Sequence, residues 1–339
     1  MTRSSESFRI GVAGVGSLGF HHARILRDLE GVEMKGFYDV QRERAKEVEQ
    51  ALAVISTPSL DELLDQVEAL VIATPTSSHE EVAVAAAARG IHLLIEKPIA
   101  PDLRAADRIL SAAAETGAVV QIGHVERFNA AILAAEPFLD TPLFIESHRL
   151  AAFSPRGTDV AVVLDLMIHD VDLVHSLVGT PVEEIVASGV PILTPSVDIA
   201  NARLSFQGGA VANLTASRVS MDRMRKIRIF QRSGYLSLDL ANGAGEFLRL
   251  KEDLPLLTGN DEQPQLDLAN TPDIWTLVER IPLEVEEVEP LRRELEDFRD
   301  AILHGGRPRV TGEDGRNALA VALSIEERIR DHVAYSRSS

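Results

Sequence analysis

Three short stretches hold most of the residues able to do chemistry. Asp165 and His169 are four apart inside an apolar run that begins Val162-Val163-Leu164 and continues Leu166-Met167-Ile168. On a helix that spacing puts the carboxylate and the imidazole on one face, with Asp172 one turn beyond. Asp165 on one ring nitrogen would fix the tautomer and leave the other nitrogen for a substrate hydroxyl. The same pair could equally be a buried structural contact. A metal site needs a third ligand that this helix does not offer, so no metal is expected. Glu96-Lys97-Pro98 follows the apolar segment Ile91–Ile95. At the C-terminal end of a parallel strand that is the ligand-facing edge. The alternative is a surface lysine at a strand exit.

The third stretch is Gly14-Val15-Gly16-Ser17-Leu18-Gly19, directly after the apolar run Phe8–Ala13. Gly14 permits a tight turn, Gly16 lets backbone approach a pyrophosphate, and Gly19 allows close helix–strand packing. Ser17 and Leu18 open the following helix, whose free N–H groups suit an anion. Asp39 comes 20 residues after Gly19. A carboxylate there accepts hydrogen bonds from ribose hydroxyls and repels a 2′-phosphate, which favours NAD over NADP. Arg42 and Arg44 keep NADP open. A glycine-rich turn without any cofactor is the competing reading.

These residues need elements to hold them. Up to about residue 125, apolar strands alternate with amphipathic helices: strands at Phe8–Ala13, Val32–Tyr38, Val54–Ser56, Ala69–Ala73, Ile91–Ile95 and Val119–Gly123. Ser59-x-x-Glu62 and Ser78-x-x-Glu81 read as capping boxes, and Gly90 and Gly117 as helix stops. Such alternation predicts a parallel sheet wound on both faces. From Leu143 the strands follow one another: Leu143–Leu150, Val182–Val190, Asp198–Phe206, Ala210–Ser217, Arg225–Gln231 and Tyr235–Leu240. Hairpin signals such as Gln207-Gly208-Gly209 predict a largely antiparallel sheet. One helix, Val162–Leu177, interrupts it; Leu254–Ile274 reads as a loop, and helices at Pro290–Leu303 and Gly312–Arg330 close the chain. The fold class is therefore α/β, an N-terminal doubly wound parallel sheet plus a C-terminal α+β domain with a large open, mostly antiparallel sheet. The expected division is 1–125, 126–310, and 311–339 as a helix returning to the first domain.

Composition narrows the function. The chain has 339 residues, 34 Lys+Arg against 52 Asp+Glu, and a net charge of −18. Nucleic-acid binding needs a basic surface, so none is expected. There are no cysteines, which excludes disulfides, thiolate metal sites and a cysteine nucleophile. The start is polar, without the order of a signal peptide. No apolar run is long enough to span a bilayer, so a cytoplasmic protein with no membrane partner is expected.

GVAGVGSLGFHHARIL, ATPTSSHEEVAVAAAARGIHLLIEKPIA, GHVERFNAA, DLMIHDVDLVHSLVG and TGEDGRNALAVALSIEERI occur in that order along most of the chain. Together they resemble the Gfo/Idh/MocA family of sugar and cyclitol oxidoreductases. The resemblance implies a Rossmann domain with NAD, and a second domain carrying the substrate face and an oligomer contact, hence a homodimer or homotetramer. It implies that Lys97, Asp165 and His169 are catalytic, and that Thr74, Thr76, His79, Glu96 and Lys97 adjoin the cofactor beside Gly14, Gly16, Ser17, Leu18, Gly19 and Asp39. His21 and His22 also match it, near the cofactor. His169 is the better base, because an ordinary imidazole pKa of about 6.5 suits neutral pH and an ordinary lysine near 10.4 does not. Lys97 then stabilises charge on the oxygen.

His124-Val125-Glu126-Arg127-Phe128-Asn129, and Ser154 to Asp159 leading into the Asp165 run, resemble the UDP-N-acetylglucosamine 3-dehydrogenases of that family. This implies a UDP-amino sugar as small-molecule substrate and a 3-keto product for transamination, in lipid A-type glycolipid synthesis. Arg127 and Arg156 would meet the diphosphate, or form ordinary salt bridges. Glu126 and Asn129 would read sugar hydroxyls, or cap a helix; Asp165 and His169 complete the substrate set. Free sugars or inositols are the alternative substrates, and a non-catalytic NAD-binding regulator the alternative of another class. A basic run, Arg218, Arg223, Arg225, Lys226, Arg228 and Arg232, reads as a solvated sheet face or subunit contact before a nucleotide surface.

Overall fold

The computed structural model describes residues 8–154, 160–251, 256–257, 265–266 and 273–338. It comprises two compact units. The first takes in Met1–Phe128, Val171–Ser176 and Val288–Glu327; the second, Asn129–Asp170, Leu177–Glu287 and Arg328–Ser339.

The first unit contains β1 (Phe8–Ala13), α1 (Ser17–Arg27), β2 (Val32–Tyr38), α2 (Arg42–Leu52), α3 (Leu60–Leu64), β3 (Ala69–Ile72), α4 (His79–Ala87), β4 (His92–Glu96), α5 (Leu103–Thr116) and β5 (Val120–Gly123). The five strands are parallel in the order β2-β1-β3-β4-β5. Strand order reverses between β1 and β3, so the crevice beyond their C-terminal ends is where an open α/β sheet binds ligands. Ile10, Leu70, Ile72, Leu93, Leu94 and Ile95 are fully buried, each contributing about 1.5–3 kcal/mol.

Local signals mostly form the structures expected of them. Ser59 caps α3 by accepting from the Glu62 amide at 3.2 Å, and Gly117 ends α5 at φ 74°. Two expectations differ. Ser78 does not cap α4; the chain enters it through a 3-10 turn, Thr76–Ser78, that puts Ser78 in a helical conformation. Val54–Ser56 is not a strand but a single bridge, Ser56 to Phe37. The bridge is made by the Phe37 amide donating to Ile55 O at 3.2 Å and the Thr57 amide donating to Phe37 O at 2.8 Å, while the Ser56 amide and hydroxyl donate to the Glu49 carboxylate at 2.8 and 2.7 Å.

The second unit begins with α6 (Ala130–Ala135) and β6 (Pro142–Leu150). A π-helical segment, Val163–Met167, runs into α7 (Ile168–Val178). Then come β7 (Val182–Val190), β8 (Ile199–Phe206), β9 (Val211–Ser217), β10 (Met224–Gln231), β11 (Gly234–Asp239), β12 (Ala244–Leu250), the short pair β13 (Leu256–Leu257) and β14 (Gln265–Leu266), and β15 (Val278–Pro282). The eight-stranded sheet has the order β15-β12-β11-β10-β6-β9-β8-β7. Every pairing is antiparallel except β6 with β9. The fold class is thus as expected. The edge pair β12 and β15 is an addition to the strands expected from sequence. β12 carries a glycine and β15 ends in proline, and both residues are typical of edges and weak strand signals. Most of the expected loop 254–274 lies outside the described residues.

Two helices close the chain, α8 (Pro290–Leu303) and α9 (Gly312–Ser338). The expected division groups α8 with residues 126–310, yet Leu295 and Phe298 join the core around Ile10, Val12 and Phe37, within the first unit. At the start of α9, Gly312 and Gly315 lie against Leu110, Val120 and Ile122 in the same unit. No helix among the described residues is long and apolar enough to cross a membrane.

Candidate active site

The glycine turn is built as a cradle. Gly14 has φ +83°, and a Cβ there would lie 2.8 Å from Ala73 O. At Gly19 a Cβ would stand 1.9 Å from the carbonyl oxygen of Gly14, so nothing larger than glycine fits. Gly16 is different: a Cβ there meets nothing within 4 Å. Gly16, Ser17 and Leu18 are exposed. The start of α1 has neither a side-chain cap nor an acidic residue in its first turn, so its N–H groups are available to an anion.

Asp39 follows β2. Its carboxylate accepts from the amides of Val15 and Gln41, both at 2.8 Å, tying the acid to the turn. Arg44 lies on the other side, donating to the carbonyls of Val15 at 2.8 Å and Gly16 at 3.3 Å, above the Phe20 ring. Beyond β3, the buried Thr74 Oγ1 has no hydrogen-bond partner among the described residues. An orphaned hydroxyl at the switch point, an open helix start and a cradle that only glycine allows all fit a dinucleotide. Gly16→Ala should therefore fold normally and lose NAD affinity by at least about 100-fold, or 2.7 kcal/mol. Titration calorimetry beside circular dichroism checks this; unchanged affinity removes Gly16 from the cofactor site.

Thr76 begins the 3-10 turn into α4. His79 is buried at the start of α4. Its Nδ1 lies 3.0 Å from Pro98 O and its Nε2 2.9 Å from Thr74 O, so the ring ties the Thr74 loop to the turn after β4. Burial lowers its pKa, outweighing the two carbonyls that favour the cation. Lys97, half-buried, follows β4, and the Lys97-Pro98 peptide is cis. Glu96 turns inward: Oε1 meets His22 Nε2 at 2.7 Å and Oε2 accepts from the Lys97 amide at 3.3 Å. The carboxylate expected beside the cofactor is thus bonded to His22 and to the Lys97 main chain.

Glu126 and Arg127 are buried in the 3-10 turn Val125–Phe128. Arg127 donates Nε and Nη2 to the two oxygens of Asp172, at 2.6 and 2.8 Å. Of the two sequence readings of Arg127, the salt bridge is the one formed, though buried and bidentate rather than superficial.

In the second unit, Asp165 lies in the π-helical segment and His169 in the first turn of α7, both half-buried. The apolar spacing predicts a continuous α-helix over this stretch. The π-helical segment instead widens the turn around Asp165, a distortion that often accompanies function. Arg149 forks onto Asp170 at 2.8 and 3.0 Å. Asn129 caps α6, accepting from the Ala131 amide at 3.1 Å, and donates to Leu240 O at 2.9 Å. Arg218 leaves the basic run altogether: it is buried against Asp198 at 3.0 Å. Lys226, Arg228 and Arg232 stay exposed. Arg156 lies outside the described residues.

Sequence reasoning passed over Arg149, Asp170, Asp198 and Glu294. The only signal was a charged residue in an apolar run or on the apolar face of its element, as with Glu294 on the face of Phe298 and Ala301, and it names no partner.

A family model described as "Oxidoreductase family, NAD-binding Rossmann fold" matches residues 8–124, and one for the GFO/IDH/MocA C-terminal domain matches 118–237. The chain belongs to the Gfo/Idh/MocA family. It is an NAD-binding oxidoreductase. A UDP-N-acetylglucosamine 3-dehydrogenase from Acidithiobacillus ferrooxidans is 37% identical over 94% of this chain and 96% of its own. A solved structure of that enzyme superposes with TM-score 0.86 at 35% identity, covering 96% of this chain and 98% of the other. A myo-inositol 2-dehydrogenase from Thermotoga maritima is 25% identical over 95% of this chain and 96% of its own.

Proposed function

We propose that the chain oxidises the 3-hydroxyl of UDP-N-acetylglucosamine with NAD, giving the 3-keto sugar nucleotide for a later transamination. The observation that carries this is the 37% identity to the Acidithiobacillus enzyme along nearly the whole of both chains, against 25% for the inositol enzyme. In this reading His169 takes the hydroxyl proton, with Asp165 orienting the ring. Lys97 donates a hydrogen bond to the same oxygen and stabilises its negative charge as the C–H bond breaks. Bound NAD supplies the hydride acceptor. Gly14, Gly16, Ser17, Leu18 and Gly19 take the pyrophosphate, Asp39 the ribose hydroxyls, and Thr74, Thr76 and His79 line the approach. The reading includes a cytoplasmic homodimer or homotetramer.

A free polyol or inositol is the second reading, and one observation favours it. Arg127, a candidate for the diphosphate, is bonded through two nitrogens to Asp172. Glu126 is buried and Asn129 caps a helix. The test is NADH absorbance after mixing protein and NAD with UDP-N-acetylglucosamine, free N-acetylglucosamine or myo-inositol, each with a carbonyl trap. NADH from the nucleotide sugar alone is expected. Turnover of only the free polyols would transfer the same chemistry to them. Silence with tight NAD binding would favour a regulator.

A further inference from the structure

Behind the Glu96-Lys97 turn, three ionisable side chains meet away from water. His22 comes from α1, Glu96 from the end of β4 and Glu294 from α8, with exposures of 0%, 7% and 0%. One ring nitrogen and one oxygen from each carboxylate all lie within 4.8 Å of one another. His22 and Glu96 are hydrogen-bonded, but neither Glu294 oxygen has a hydrogen-bond partner among the described residues. Gln121 on β5 donates to the main-chain oxygen of Glu294 at 2.9 Å, and not to its carboxyl. Gly123 closes the β5 side, since a Cβ there would stand 2.9 Å from Glu96 Oε2.

Two ionised carboxylates in such a space would share a single imidazole. Like charges this close cannot both ionise without cost, and burial multiplies that cost. A proton on one acid is the simplest remedy.

We propose that Glu294 is a positioning residue for Lys97, acting as a neutral carboxylic acid that backs the His22–Glu96 pair and keeps the Glu96 carboxylate turned to the Lys97 amide. The inference rests on the role given to Lys97 above. The ionisable groups facing Glu294 are Glu96 from β4, Asp297 from its own helix, and His22 from α1. Burial first, then Glu96 and Asp297, drive the Glu294 carboxyl well above the ordinary range. Burial also works against the Glu96 charge, but the His22 hydrogen bond and the charges of His22 and Lys97 prevail and hold its pKa down. An ionised Glu294 would repel Glu96 and compete for the His22 proton.

The test compares full-length wild type, Glu294→Gln and Glu294→Ala. A neutral amide mimics a neutral acid, so Glu294→Gln should keep kcat within about threefold at pH 7, while Glu294→Ala loses about tenfold in kcat with KM little changed. A group whose pKa is raised by folding stabilises fully below its unfolded pKa and loses that contribution as pH rises through the folded one. The Tm advantage of Glu294→Gln over wild type should thus widen, by about 2 °C or more, between pH 5.5 and 9. Infrared spectra of wild type at pH 7 should contain a protonated-carboxyl carbonyl band that Glu294→Gln lacks.

The proposal is overturned by an unaltered band, by parallel stability curves, or by one equivalent of divalent metal in wild type that Glu294→Gln loses. Equal kcat in all three proteins removes the positioning role and leaves the proposed function standing. The infrared and stability measurements need no substrate, so failure to oxidise any nucleotide sugar leaves the neutral acid testable.

Discussion

Replacing His169 with alanine should leave NAD affinity within a few fold of wild type and lower kcat by about 10²–10⁴, the range for a lost general base. Lys97→Ala should do the same by about 10²–10³, the range for one lost donor to a developing oxyanion. Both expectations follow from where the side chains sit. His169 belongs to the second unit, and Lys97, although on the cofactor-binding sheet, follows β4 rather than the glycine turn. The cradle at Gly14–Gly19 and the Asp39 contacts with Val15 and Gln41 do not involve either residue. Steady-state rates beside NAD titrations check this. The two variants should also differ from each other. His169→Ala should lose the acid limb of the pH–rate profile, because the group that must be deprotonated has gone, and Lys97→Ala should keep it. Near wild-type kcat in either variant removes its role, and an acid limb that survives His169→Ala passes the base to another group.

Arg127→Ala should destabilise the fold by about 3–5 kcal/mol, far more than loss of His169 or Lys97. The guanidinium spans both oxygens of Asp172, and the Asp172 side chain is only 1% exposed. Alanine would leave that carboxylate buried without its counter-charge. Urea unfolding measures the loss, and Arg127→Ala/Asp172→Ala should recover part of it, since the second change removes the orphaned charge. The pair also separates two meanings of the same residue. A structural Arg127 predicts lost stability whatever the substrate. A diphosphate ligand predicts a raised KM for UDP-N-acetylglucosamine, no change with a free polyol, and unaltered unfolding. The geometry favours the first outcome, in which Arg127 is spent on Asp172 and lends a diphosphate no support.

What could be read from the residues follows the range of the forces involved. The glycine turn, Asp39, the Glu96-Lys97-Pro98 exit and the Asp165/His169 spacing are local patterns, each a few residues long and each meaningful through backbone geometry. Periodicity of two against periodicity of 3.6 separates the two parts of the chain, because burial on one face is written into neighbouring residues. Even the hairpin at Gly208-Gly209 is local, with φ +93° and +89° that only glycine adopts easily.

The partners of buried charges are another matter. Arg127 meets Asp172 across 45 residues, Glu294 stands beside His22 and Glu96 from near the other end of the chain, and Arg218 leaves a basic run for Asp198. Any arginine could pair with any of many acids, and nothing in a local window says which. The π-helical turn at Val163–Met167 likewise has no counterpart in the apolar spacing, which reads as one continuous α-helix. By itself the sequence determined the two sheets, the cofactor cradle and the residues that could do chemistry, since these rest on backbone conformation and hydrophobic pattern over a few positions. Only the tertiary structure decided which charged side chains are spent on one another and which remain for a ligand, because ion pairing in a buried space depends on distances that folding alone brings into being.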